Sequence, residues 1–214
     1  ESIKCGVLFF AIDLQNANVQ TALFNHPLSQ FQASIEVSSR GVAIRNFGLQ
    51  EGGMNVYSNG QIRGNVLNPK VLKAEISYIA RGPLEGWLKP GLVGRFVKLP
   101  KGSDLTGLIT VEGKMQGDLL DLEHTLETQT TVQLEKIKYG DWHLDKGQLK
   151  GTWKAPLVML DSADLRIGDG SVHVGKTMFD TSKKEQQLHA KIDFARADFR
   201  KLMGSVLKIV YPLH

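Results

Sequence analysis

The chain has 214 residues, 42% of them hydrophobic and 22% charged, with a formal net charge of +4. That length suits one large β domain or two small domains of ordinary soluble composition. A single cysteine, Cys5, excludes an internal disulfide and a cysteine metal site. No apolar run approaches the ~20 residues that a membrane-spanning helix needs. The longest candidate, from Gly6 to Leu14, is broken by Asp13. The mild positive charge fits contact with an anionic surface such as lipid headgroups, and equally a solvated face. Lys and Arg are scattered, with no basic stripe interleaved with stacking aromatics, so nucleic acid is not expected as a partner. The first residue is Glu1 rather than Met, and we expect a piece of a longer protein whose signal peptide or anchor lies outside it.

The dominant signal is alternation. From Leu105 the odd positions read Leu105, Gly107, Ile109, Val111, Gly113, Met115 and Gly117, while the even positions from Thr106 to Gln116 are mostly polar. Successive side chains of a strand point to opposite faces, so such a segment has one apolar and one wet face. The same pattern recurs at Phe31, Ala33, Ile35, Val37 and at Leu188, Ala190, Ile192, Phe194. In chain order the expected strands cover 4–14, 19–24, 30–38, 42–49, 54–66, 72–80, 105–117, 130–137, 142–153, 157–167, 171–179 and 187–194. Turn residues separate them, and Asp169-Gly170 reads as the clearest tight hairpin. Asn59-Gly60 reads as lying within one long strand.

Two segments break the alternation. Between residues 83 and 97, Leu84, Trp87, Leu88, Leu92 and Phe96 follow helical spacing interrupted by Pro90-Gly91. Near the end, Asp198 is placed to cap a helix over about 198–208 that carries Phe199, Leu202, Met203, Val206 and Leu207 on one face. Both read as short helices that lid or cap an open end of the sheet.

Glycine is abundant, at 22 residues. Three segments share the pattern glycine, any residue, apolar, any residue, glycine: Gly60-Gln61-Ile62-Arg63-Gly64, Gly113-Lys114-Met115-Gln116-Gly117 and Gly147-Gln148-Leu149-Lys150-Gly151. In a strand both glycines and the apolar residue share a face, which is thereby thinned. Room for a foreign chain and freedom to twist or curve both account for this.

No enzyme constellation is found. There is no nucleophile elbow, phosphate-binding loop or dinucleotide fingerprint. The histidines His26, His124, His143, His173, His189 and His214 do not pair at metal-ligand spacing on any expected strand. Asp161 falls on the nominal apolar face of 157–167, which a strand end, a bulge or a flipped register explains more simply than catalysis. We therefore expect no enzymatic activity, no cofactor and no metal.

The long amphipathic strands, the glycine-flanked segments, the Pro-Leu-x-x-Trp-Leu run at Pro83 to Leu88 and the Leu-x-Ile-Gly-Asp-Gly-Ser-Val hairpin at Leu165 to Val172 resemble the AsmA-like family, which includes TamB-type proteins of the Gram-negative envelope. The resemblance covers 46–68, 72–117 and 146–207, and is most specific in the last stretch. It implies one mainly β segment over 1–214: a long amphipathic, antiparallel-type sheet curled into a trough with an apolar inner face. It also implies a role as a section of a bridge that carries phospholipids between inner and outer membrane, located in the periplasm, with the full-length protein anchored in the inner membrane and an outer-membrane β-barrel protein as partner. It carries no catalytic residues.

On this reading acyl chains contact Met54, Val56, Ile62, Leu72, Ile76, Leu105, Ile109, Val111, Met115, Leu149, Leu165, Ile167, Leu188 and Ile192. Two other readings stay open on sequence alone. One is a module whose free sheet edge adds a strand from an envelope protein during assembly. The other is a closed sandwich or barrel with a private core, against which the low aromatic content of 7% counts mildly.

Overall fold

The structure is a computed structural model that describes residues 10–19, 28–51, 53–66, 70–88, 105–139, 142–154, 156–180, 182 and 190–196. Twelve strands follow one another: β1 Phe10–Val19, β2 Leu28–Ser38, β3 Gly41–Glu51, β4 Met54–Arg63, β5 Lys73–Pro83, β6 Leu105–Asp118, β7 Glu127–Tyr139, β8 Trp142–Lys154, β9 Leu157–Ile167, β10 Gly170–Val174, β11 Thr177–Asp180 and β12 Ile192–Ala195. Two short helices interrupt them, α1 Leu84–Leu88 between β5 and β6 and α2 Leu122–Thr125 between β6 and β7.

All twelve strands belong to one antiparallel sheet. Each strand from β1 to β9 pairs with the next in sequence, and β12 pairs with β10. β11 lies against β9 beyond the end of β10. Among the described residues β1 does not pair with β12, so the sheet is open. A meander of this kind follows from short connections and alternating sequence: each strand finds its neighbour by folding back on the preceding one.

Most expected strands are present, and the differences have local causes. Asn59 and Gly60 do lie within a continuous β4. β1 passes through the expected break after Leu14 and reaches Val19, bending at a register irregularity where Asn16 adopts φ 53°. The rest of the expected strand 19–24, like residues 4–9 and 187–189, lies outside the described residues. β7 is longer than expected at both ends, because the Thr and Gln positions from Glu127 onward still complete a ladder with β6 and β8. The expected single strand 171–179 is split into β10 and β11. The Gly175 amide donates to the Lys191 carbonyl at 2.9 Å, one step on from the β10–β12 pairs, and pairing with β9 resumes in the same register at Thr177. The hairpin turn sits one residue earlier than expected, at Gly168-Asp169, since Ile167 and Gly170 already pair. Gly168, at φ +57°, takes the left-handed turn position that a β-branched or bulky residue would resist.

Of the expected helix over 83–97, residues 84–88 are helical and 89–104 lie outside the described residues, as does the expected helix over 198–208. α1 begins just after Pro83 and carries Glu85 in its first turn, where a carboxylate favours the positive end of the helix dipole. Five residues do not hold a helix alone. The buried Leu84 does, by packing with Ile137 and Leu144.

Candidate functional site

Directly paired residues of neighbouring strands point to the same side of a sheet. Following the register therefore sorts the whole sheet into two faces. On one side, the chain of partners runs Ile12, Ile35, Ile44, Gly60, Ile76, Met115, Thr128 and Trp153 across eight strands. A parallel line runs Leu49, Val56, Ala80, Val111, Val132, Leu149, Ala163 and Val174. The opposite side runs Ala43, Gln61, Glu75, Gln116 and Glu127. The molecule thus carries an apolar face and a polar face, each extending over the sheet.

The register places twelve of the expected contact residues on the apolar face: Met54, Val56, Ile62, Ile76, Leu105, Ile109, Val111, Met115, Leu149, Leu165, Ile167 and Ile192. Leu72 lies just before β5, where its amide donates to the Asp118 carboxylate at 3.1 Å. Leu188 lies outside the described residues. The twelve do not share one environment. Leu105, Ile109, Leu165 and Ile167 pack against the cluster of Leu84, Ile137 and Leu144 beneath α1, which is a small closed core at one end of the strands. Met54, Val56, Ile62, Ile76, Val111, Met115 and Leu149 are half-buried, outside that cluster.

Away from α1, burial shows that this face has no second layer over it among the described residues. Among the described residues eight apolar ones are buried, and four of them are alanines lying low among larger neighbours. Near the sheet's ends the apolar side chains are still more open, with Phe10 46% and Ile192 48% exposed. Residues outside the expected contact set belong to the same face, notably Phe31 and Phe47, whose rings meet edge to face at 5.3 Å, and Leu144, which is 2% exposed. Their alternation is the signal that finds them. Only the register shows that β1 to β8 turn their apolar sides the same way, and that beyond the bulge in β9 Leu157 and Met159 fall on the side of Lys154 and Thr152.

The glycine-flanked segments lie on this face, and neighbouring side chains occupy most of the space they leave. A Cβ at Gly113 would stand 2.7 Å from the Tyr78 hydroxyl and clash with the Gln129 carbonyl, and one at Gly147 would stand 2.9 Å from a Leu165 methyl. Tyr78 lies across Gly113 so that its hydroxyl reaches Thr130 Oγ1 at 2.7 Å. These glycines serve close cross-strand packing. Gly151 is the more open one, since a Cβ there would meet only the Met159 carbonyl within 4 Å.

The polar face is a lattice of cross-strand pairs. Arg45 meets Glu36 at 3.0 Å, Gln61 donates to Glu75 at 3.0 Å, Gln116 donates to Glu127 at 3.0 Å, and His173 Nδ1 lies 2.7 Å from Asp164. The hydrogen bond that Arg45 donates to Glu36, and then the charge of Glu36, raise the Arg45 pKa above the ordinary value. Exposed pairs of this kind contribute about 0–1 kcal/mol each. Asp161 joins this face rather than the apolar one. A register shift between β8 and β9 lets it turn outward, where Thr152 donates to it at 3.0 Å. Two recesses open between these side chains, of about 620 and 730 Å³. Their linings, which include Arg45, Asn59, Lys114 and Gln129, bring no histidine or cysteine to either.

Among the described residues no three His, Cys, Asp or Glu side chains are placed to hold a metal ion, and no helix is long and apolar enough to cross a membrane. Compared with models of known protein families, with curated proteins and with solved structures, the chain matches none.

Proposed function

We propose that this chain is a section of an AsmA-like, TamB-type envelope bridge, and that it binds and conducts phospholipid acyl chains along a trough made by the apolar face of its sheet. The observation that carries this reading is the extent of that face: apolar side chains on successive strands across the sheet, with no covering layer among the described residues. Acyl chains have no sequence to be read. They need continuous apolar area and an open side for the headgroup. Burial of that area is worth roughly 25 cal/mol per Å², or about 0.8 kcal/mol per CH₂. Along a uniform face the gain changes little with position, so a chain slides without a deep trap.

The eleven strands that lie side by side, at about 4.8 Å spacing, span on the order of 50 Å, more than a ~30 Å hydrocarbon core. The register shifts in five of the ladders from β1 to β9 favour the curl, because bulges add local twist and bend. The recesses of the polar face mix charged and amide groups with Tyr57 and Ile79, and offer no continuous apolar strip to an acyl chain. α1 serves as an end cap, since its Leu84 closes the apolar face over Ile137 and Leu144.

The test is native mass spectrometry with lipid extraction on gently purified chain, followed by transfer of labelled phospholipid between vesicles. Phospholipid at defined stoichiometry supports the reading, and a stable, lipid-free chain overturns it. A second reading, strand addition by an outer-membrane β-barrel protein, is favoured by β1, whose outer side has no partner among the described residues. Proline substitutions along β1 that leave partner binding unchanged sink that reading.

A further inference from the structure

The connection between β6 and β7 exposes leucines where a turn would be expected to expose polar residues. Leu119, Leu120 and Leu122 are 37%, 55% and 38% exposed, and the nearby Val71 is 47% exposed. Clustered exposed apolar side chains of this kind mark interaction sites. The loop is built, not frayed. The Leu119 amide donates to the Leu72 carbonyl at 2.8 Å, and the Leu72 and Leu120 amides both donate to Asp118 Oδ1 at 3.1 Å. The Asp118 amide donates to Thr125 Oγ1 at 2.8 Å, and the Thr125 hydroxyl donates to the Asp121 carbonyl at 2.5 Å. His124 Nδ1 lies 2.6 Å from Asp121 Oδ1.

The loop segment that carries these leucines is itself acidic. From Asp118 to Glu127 stand four carboxylates and no Lys or Arg, in a chain of net charge +4. Lys73 faces Asp118 and Lys154 faces Glu127 across the ladders, and Lys70 adjoins Val71, but Asp121 and Glu123 lie beyond the ladders at the tip. Among the described residues the Glu123 carboxylate has no hydrogen-bond partner. Anionic headgroups would be repelled by this rim, whereas a cationic surface is attracted to it.

We propose that the leucine-bearing loop between β6 and β7 docks a protein surface that is apolar at its centre and basic at its rim. Leu119, Leu120 and Leu122 enter the apolar part, and Asp121 and Glu123 pair with Lys or Arg around it. This inference does not rest on the lipid reading, which uses the sheet face.

The probe is an amphipathic Lys/Leu helical peptide, compared with its Glu/Leu counterpart and with vesicles of phosphatidylcholine alone or mixed with phosphatidylglycerol. A photo-crosslinking residue at position 120 maps the contact. The Lys/Leu peptide is expected to crosslink there, to bind at least tenfold more weakly to Leu119→Ser/Leu120→Ser, and several-fold more weakly to Asp121→Asn/Glu123→Gln. Both variants alter exposed side chains and keep the wild-type melting temperature within a few degrees. The proposal is overturned if the leucine variant binds unchanged, if the Glu/Leu peptide binds as well, or if the loop takes up neutral vesicles and ignores the peptide. Binding lost in Ile76→Asp but kept in the leucine variant places the peptide on the sheet face and also overturns it.

Discussion

Replacing Ile76 by Asp separates an open lipid face from a hidden core. Ile76 lies mid-sheet on β5, half-buried, opposite Gly60 on β4 and Met115 on β6. It is a better probe than Ile109, which packs against the small core beneath α1. In the lipid-free chain a carboxylate there keeps much of its water. Losing roughly half the ~1.5–3 kcal/mol of an isoleucine's burial costs about 1 kcal/mol. For a chain of this size that lowers the melting temperature by about 2–4 °C. Under an acyl chain the carboxylate loses its water and must either stay charged at high cost or take a proton. Protonation from an unperturbed pKa of ~3.9 costs about 1.36 kcal/mol per pH unit, so the penalty at pH 7 is capped near ~4 kcal/mol. Lipid affinity at that site therefore falls by up to about a thousandfold, and returns as the pH drops toward ~4. Native mass spectrometry across that pH range, beside thermal melts, reads both effects, with Ile76→Asn as the variant that has no pH rescue. A mutant that fails to fold would show that the face is covered by a closed core. Unchanged lipid at pH 7 would place the lipid elsewhere.

Leu144→Ala removes the most buried apolar side chain, 2% exposed, and is expected to cost about 2–5 kcal/mol in urea unfolding, far more than Ile76→Asp. Gly113→Val drives a side chain into Tyr78 and the β7 backbone and should cost at least about 1–3 kcal/mol. Gly168→Ala meets no atom within 4 Å and should cost only the ~1–2 kcal/mol of the left-handed conformation. Equal losses in these two glycine variants would contradict the packing described. The His124 pKa is raised above 6.5, first by its hydrogen bond to Asp121 and then by the charges of Asp121 and Glu123. The pair's contribution to loop stability is thus fully present below ~6.5 and is lost as the pH rises through the higher folded-state value. An NMR titration should give a midpoint above 6.5 that returns toward it in Asp121→Asn.

Alternation along single strands made the β class, nearly every strand and one apolar face per strand legible from the sequence. Side-chain direction has a period of two whatever the neighbours do, so Ile109 and Thr110 had to part company. Alternation could not say that the apolar sides of β1 to β8 all turn the same way, because register is a property of pairs. Nor could it place the bulge that turns Asp161 to the wet face, or the gap in the β9 pairing that parts β10 from β11. It did not mark α2, where Leu119, Leu120 and Leu122 interrupt the period within too few residues to establish another. The difference between Ile109 in a small core and Ile76 on an uncovered face was also invisible in sequence, since both are isoleucines at alternating positions of long strands. Tertiary structure decided it, through where α1 sets down Leu84 and where, among the described residues, nothing is set down at all.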